Sequence, residues 1–246
     1  MDCKLLYIEI LKKCVLDTIY GSKHINGTGE IIDKKANDME ILEGKYWPSR
    51  AHSMLGIKRI DNIQEMFDYV INNKIEGDLL EAGVWRGGAA IFMAGLNKCN
   101  NQNRKIFVAD SFEGLPKPDS KYESDINDIH HTLSFLAVSL EDVKSNFKKY
   151  NLLDDNVIFI KGFFENSLKS DYIEKLAILR VDGDMYSSTI QVLDNLYDKV
   201  SKGGVIIIDD YALKGCKDAV DYFRSNRNIN SKMIQIDWTG MYWIKE

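Results

Sequence analysis

The stretch GDLLEAGVWRGGAAIFM, residues 77–93, is an apolar run that ends in an acid and glycines and then turns helical. Strands buried on both faces read as short, nearly continuous apolar runs. A glycine turn between such a strand and a helix is the opening unit of a doubly wound sheet. The same rhythm returns in KIFVADSF (105–112), VIFIKGFF (157–164), LAILRVDGD (176–184) and GGVIIIDDY (203–211). Apolar spacing predicts helices near 60–73, 88–97, 139–150, 187–200 and 214–225. Strands alternating with helices predict a mostly parallel sheet covered on both faces. Two last runs, KMIQIDW (232–238) and GMYWIKE (240–246), have only Thr239 and Gly240 about their junction, which forces an antiparallel hairpin. The expected fold is α/β: a seven-stranded Rossmann-like sheet, mostly parallel, with an antiparallel C-terminal strand.

Upstream, Leu5, Leu6, Ile8, Leu11, Val15 and Ile19 recur at helical spacing and predict an amphipathic helix. Its apolar stripe is expected to pack on its own domain, with docking on a second subunit as the alternative. Residues 21–45 are polar and rich in Gly, Asn and Lys, and read as a loop or linker. This divides the chain into a helical segment serving as lid or oligomerisation element, 1–75, and a ligand-binding domain, 76–246. PKPDSKYESDINDIHHT (116–132) is a long polar loop beside strand ends, a common place for a lid.

A chain of 246 residues with 45% hydrophobic content has enough apolar surface for a sizeable core. A net charge of -5 with scattered basic residues argues against nucleic-acid binding. Four cysteines without a CxxC pair read as reduced thiols of a cytoplasmic protein. Charges break every apolar run, so neither a signal peptide nor a membrane span is expected.

Ligands of doubly wound sheets bind at the carboxyl ends of the strands. Here that rim carries Glu81, Gly83, Val84, Trp85 and Gly87 after the first strand and Asp110, Ser111 and Phe112 after the second. Gly162 and Phe163 follow the third strand at the same rim, candidates for cofactor contact, with plain core as the alternative for the phenylalanine. A carboxylate at Asp110 suits a pair of ribose hydroxyls. A nicotinamide site would need GxGxxG opening straight into its helix. The turn here reads ExGxxxGG, and Glu81 would repel a pyrophosphate but attract a cation. That favours the sulfonium of S-adenosylmethionine over NAD.

Several stretches are long and unusual in composition: CVLDTIYG, WPSRAHSMLG, GDLLEAGVWRGGAAIFM, DSFEGLP, LAVSLEDVKSNF, LLDDNVIFIKGFF, LRVDGDMYSST and GGVIIIDDY. Together, in this order over residues 14–211, they resemble the macrocin O-methyltransferase family, which methylates sugar hydroxyls in antibiotic biosynthesis. The resemblance implies a class I methyltransferase fold, S-adenosylmethionine as donor, a small-molecule acceptor and use of the N-terminal region across subunits of a homo-oligomer. It adds Ser139 as a cofactor contact, although Ser139 with Asp142 also reads as a helix cap. Met54, in WPSRAHSMLG, would cover cofactor and acceptor.

Asp182 ends the fourth strand, and Asp209 and Asp210 end the fifth. Adjacent strands lie ~4.8 Å apart, so these carboxylates converge at one rim. Three oxygen ligands make a hard-ion site, hence magnesium, and the resemblance implies the same three ligands. Asp184 is read as a cap for the helix behind it. Catechol-type relatives carry a lysine base three residues after the first aspartate; Met185 stands there, which argues against a catechol acceptor. The remaining bases are Asp182 and a histidine of the long loop, His131 or its neighbour His130. The expected reaction is magnesium-dependent methyl transfer to a sugar hydroxyl. Alternatives are the same chemistry on a non-sugar diol or phenol, or a non-catalytic binding protein.

Overall fold

The computed structural model describes residues 2–169 and 172–246. Helix α1 (Cys3–Val15) is followed by a two-stranded antiparallel sheet, β1 (Lys23–Ile25) and β2 (Ile31–Lys35), and a short helix α2 (Asp38–Glu43). Then come α3 (Ile57–Asn72), β3 (Asp78–Ala82), α4 (Gly88–Cys99), β4 (Ile106–Asp110) and α5 (Leu140–Lys149). The chain continues through β5 (Val157–Lys161), α6 (Phe164–Ser167), β6 (Leu176–Val181) and α7 (Tyr186–Leu196). It closes with β7 (Val200–Ile208), α8 (Lys214–Asn226), β8 (Ile234–Gln235) and β9 (Met241–Ile244).

The main sheet has seven strands in the order β5-β4-β3-β6-β7-β9-β8. β3 pairs in parallel with both β4 and β6, so the strand order reverses there. That reversal opens a crevice at the carboxyl ends of β3 and β6. β9 runs antiparallel between β7 and β8. The anticipated sheet, its terminal hairpin and the five predicted helices are all present.

Each face of the sheet has its own core. On one side Ile8, Leu11, Ile60, Phe67, Ile91, Phe92 and Phe147 pack on Leu79, Val108 and Ile178. On the other, Val192, Leu193, Leu196, Val220 and Phe223 cover Leu80, Leu179, Ile206 and Trp243. The residues of β6, all six buried, explain its continuous apolar run. Helix α1 lays Ile8, Leu11 and Val15 on this chain's own core, while Leu5, Leu6 and Ile10 of the same helix remain exposed.

Residues 21–45 differ from the expected plain linker. Asn26 holds the turn between β1 and β2 by accepting from the amides of Thr28 and Glu30, at 3.0 and 2.9 Å. Asn37 and Glu40 form a capping box that starts α2. Both elements are small and largely exposed, so neither shows an apolar period. Among the described residues no helix is long and apolar enough to cross a membrane.

Candidate active site

Two adjoining cavities occupy the crevice. The first, of about 330 Å³, is lined by Met54, Gly83, Val84, Trp85, Asp110, Ser111, Phe163 and Asp182. Loop residues Leu115, Tyr122 and Leu136 and helix residues Ser187, Ser188 and Gln191 also line it. The second, of about 160 Å³, has an acidic floor of Glu81, Asp182, Asp184, Asp209 and Asp210 under Trp47, Trp85 and Trp238. Met54, Val84, Trp85, Leu136, Asp182 and Asp184 line both.

The glycine turn after β3 is shaped by contact with β6. Gly83 has φ +87°, and a Cβ there would lie 1.7 Å from the carbonyl oxygen of Asp182. Trp85, Phe112 and Asp184 also hold positive φ, of 48°, 56° and 54°. Such backbone strain in ordinary residues gathers at functional sites. Asp110 fastens the turn: its carboxylate accepts from the amides of Val84 and Phe112, each at 2.8 Å. Each carboxylate oxygen retains acceptor capacity for a further donor.

Not every residue expected on the cofactor lines that first cavity. Ser139 caps α5, accepting from the Asp142 amide at 3.1 Å. Phe112 is buried against Phe159. Gly87 caps α4, and Gly162 turns the chain behind Phe163, whose ring is 45% exposed in the cavity. Glu81 sits beneath the turn rather than at its mouth, paired at 2.5 Å with Arg180. Burial pushes its carboxyl up to about 8. The cationic partner expected for Glu81 is thus a buried arginine of the neighbouring strand.

Arg180 is the centre of the acidic floor. It is fully buried, with Nη1 2.9 Å from Asp182 and Nη2 2.5 Å from Asp209. Arg59 of α3 meets the other oxygen of Asp209 and donates from Nε to Asp237 at 2.8 Å. Asp209 is therefore held between two guanidinium groups, which keep its carboxyl below the usual value despite burial. Among the described residues the carboxylates that gather within 4.8 Å of one another are those of Asp182, Asp184 and Asp210. Burial raises all three, with repulsion from Asp209 added at Asp182 and from the neighbouring aspartates at Asp184 and Asp210; Asp184 reaches about 7. Asp184, read from sequence as a cap, joins Asp182 and Asp210, while Asp209 faces its arginines. A trio of buried hard oxygen donors, of which Asp182 is paired with Arg180, fits a divalent cation.

The two histidines also separate. His130 lines the acidic cavity, and its Nδ1 lies 2.7 Å from Asp128. That hydrogen bond raises the pKa of His130 above its ordinary value. His131 lines neither cavity, and its Nδ1 is buried without a partner. The residues that sequence reasoning passed over are Arg59, Arg180, Asp237 and Trp238. Arg180 carries the one legible signal: a charge inside LAILRVDGD, a strand otherwise apolar before its terminal acids.

This switch-point crevice, with its glycine turn and acidic rim, is that of a class I methyltransferase. The O-methyltransferase NovP superposes with a TM-score of 0.92 at 42% identity, over 98% of this chain and 99% of that one. Residues 5–245 match the macrocin-O-methyltransferase (TylF) family, and the chain belongs to it; the protein is an O-methyltransferase. Demethyldecarbamoylnovobiocin O-methyltransferase of Streptomyces niveus is 43% identical over 242 residues, 97% of this chain and 92% of that protein. Mycinamicin III 3''-O-methyltransferase of Micromonospora griseorubida is 39% identical over 245 residues, 97% of this chain and 95% of that protein.

Proposed function

We propose that the chain transfers a methyl group from S-adenosylmethionine to a sugar hydroxyl of a glycosylated natural product, in the cytoplasm and with magnesium. The observation that carries this reading is the shared wall of the two cavities. Asp182 and Asp184 border a roomy cavity and a smaller acidic one, so donor and acceptor meet over the same carboxylates. The curated relatives are named for methylating novobiocin and mycinamicin intermediates, which supports a glycoside as acceptor. The exposed Leu5, Leu6 and Ile10 on α1 support self-association.

In the first cavity Asp110 would accept from the ribose hydroxyls, and the turn Gly83–Trp85 would bring backbone close to the donor. Asp182 and Asp210, with Asp184 beside them, would hold magnesium, which supplies charge that lowers the pKa of an acceptor hydroxyl. Asp209 stands behind them, its charge answered by Arg59 and Arg180. His130 Nδ1 is engaged by Asp128, which leaves Nε2 to take the proton from the reacting hydroxyl. S-adenosylmethionine, held by Asp110 and the Gly83–Trp85 turn, would supply the electrophilic methyl group that the deprotonated hydroxyl oxygen accepts. Met54, Trp85 and Leu136 close apolar walls around the reacting groups and limit water.

The decisive experiment is calorimetric titration of S-adenosylhomocysteine into the full chain, with magnesium and then with EDTA. One-to-one binding in both, with a separate magnesium isotherm lost in Asp182→Asn plus Asp210→Asn, is the expected result. A folded protein that binds no S-adenosylhomocysteine under either condition would sink the reading.

A further inference from the structure

Behind the aspartates of the rim, acids and guanidinium groups alternate in a buried row. It runs from Glu81 of β3 through Arg180 of β6, Asp209 after β7 and Arg59 of α3 to Asp237 in the turn before β9. Each of the five is at most 7% exposed. Such a row rarely stabilises a fold more than apolar side chains of the same size would. The neighbouring strand shows the apolar alternative: Ile207 of β7 stands opposite Arg180 and is buried in the core. Stability alone therefore does not account for an arginine at this position.

Its contacts do. Arg180 and Asp182 are two residues apart and point to one face of the sheet, and Glu81 stands opposite Arg180 in β3. Arg180 Nη1 lies 2.5 Å from Glu81 and 2.9 Å from Oδ2 of Asp182, while Nη2 lies 2.5 Å from Asp209. A guanidinium is a planar, rigid fork, so contacts on two arms fix its direction. Asp182 is gripped at one oxygen by a group that is itself immobilised. Its side chain nevertheless stays 30% exposed, beside Asp184 and Asp210.

We infer that Arg180 is a positioning residue: held by Glu81 and Asp209, it fixes the direction of Asp182 and so sets the affinity of the rim for a divalent cation. This rests on the magnesium reading above. Groups that orient a metal ligand are commonly worth about 10- to 100-fold in metal affinity.

The test follows Mn2+ binding to the full chain by electron paramagnetic resonance, beside S-adenosylhomocysteine titration and thermal melting in EDTA. Arg180→Met is combined with Glu81→Gln, so that β3 keeps no unmatched acid, while Asp209 keeps Arg59. The double variant is expected to melt cooperatively and to bind S-adenosylhomocysteine, yet to bind Mn2+ about 10- to 100-fold more weakly. Arg180→Lys retains a positive charge but not the fork, and is expected to fall between the two proteins. Mn2+ affinity that is unchanged or raised in the folded double variant overturns the inference. So does a loss matched by an equal loss of S-adenosylhomocysteine binding, which marks collapse of the whole crevice. If the double variant does not fold, Arg180→Lys decides: weaker Mn2+ binding with S-adenosylhomocysteine binding retained supports the inference, and Mn2+ affinity equal to that of the unaltered chain overturns it. An unaltered chain that binds S-adenosylhomocysteine but no Mn2+ removes the magnesium reading, and the inference with it.

Discussion

The carboxylate of Asp125 accepts the amide of Tyr186 at 2.7 Å, and its second oxygen accepts that of Ser187 at 2.9 Å. Asp125 is buried and belongs to the long loop after β4; Tyr186 opens α7. Met185, at the N-cap position, offers no side-chain oxygen, so the helix behind the acidic VDGD turn is capped from a distant loop. The segment expected to be a lid is thereby pinned at its middle to the helix that follows the turn bearing Asp182 and Asp184.

Asp125→Ala should lower stability by about 1–2 kcal/mol, the usual cost of a lost cap. It should also raise the KM for acceptor, because His130 and Leu136 lie on the same loop. Asp125→Asn, which keeps one acceptor oxygen, should recover part of both. Urea unfolding together with steady-state kinetics reads the two effects. An unchanged KM in a destabilised Asp125→Ala would separate the loop from the acceptor.

The acids of the rim should divide into two kinds. Asp210→Asn and Asp184→Asn should weaken Mn2+ binding, followed by electron paramagnetic resonance, while leaving the melting temperature in EDTA level or higher, since burial already disfavours the charged carboxylate there. Asp209→Asn should instead cost roughly 3–5 kcal/mol, because two buried arginines lose their shared partner. A stable Asp209→Asn with lost Mn2+ binding would place Asp209 among the ligands.

His130→Gln should reduce kcat about 100-fold, within the range for a lost general base. His131→Gln should leave turnover within a few-fold. Asp128 favours the charged imidazole, so it holds the pKa of His130 up. Catalysis needs the neutral ring; the acid limb of kcat/KM should therefore lie above pH 6.5 and move down in Asp128→Asn. Profiles that coincide for the two proteins would remove His130 from the proton path.

His52 supplies a stability test away from the rim. Burial pushes it down to about 4, beside the hydroxyl of Tyr150 at 2.6 Å. The unfolded ring titrates near 6.5, so between those values the unfolded chain binds more protons. Stability should fall as pH drops from about 6.5 toward about 4. His52→Gln should flatten that decline in a series of thermal melts; an equally steep series would assign it to other groups.

How much of this was legible in the sequence follows from what each residue contacts. β6 and β7 are apolar because both faces are covered, so LAILRV and VIII announced themselves. The hairpin was forced by its short junction. Residues 23–43 hid because their elements are small, exposed and held by Asn26 and Asn37 side chains rather than by an apolar stripe. At the site, strand ends gave Asp110, Asp182 and Asp210. What sequence spacing does not carry is which way a carboxylate turns. Asp209 and Asp210 are neighbours, yet one faces Arg59 and Arg180 while the other faces Asp182 and Asp184. Asp237, 178 residues from its partner Arg59, is beyond any local pattern.

The last strand of the sheet is not at its edge. β9 is threaded between β7 and β8, and its Trp243 is fully buried. A nascent chain therefore cannot complete the rim until residue 244 has cleared the ribosome. Until then the flank of β7, with Ile206 and Ile208, stands open to any strand that passes. A chain stalled before β9 would keep its site residues but present an open, aggregation-prone sheet edge.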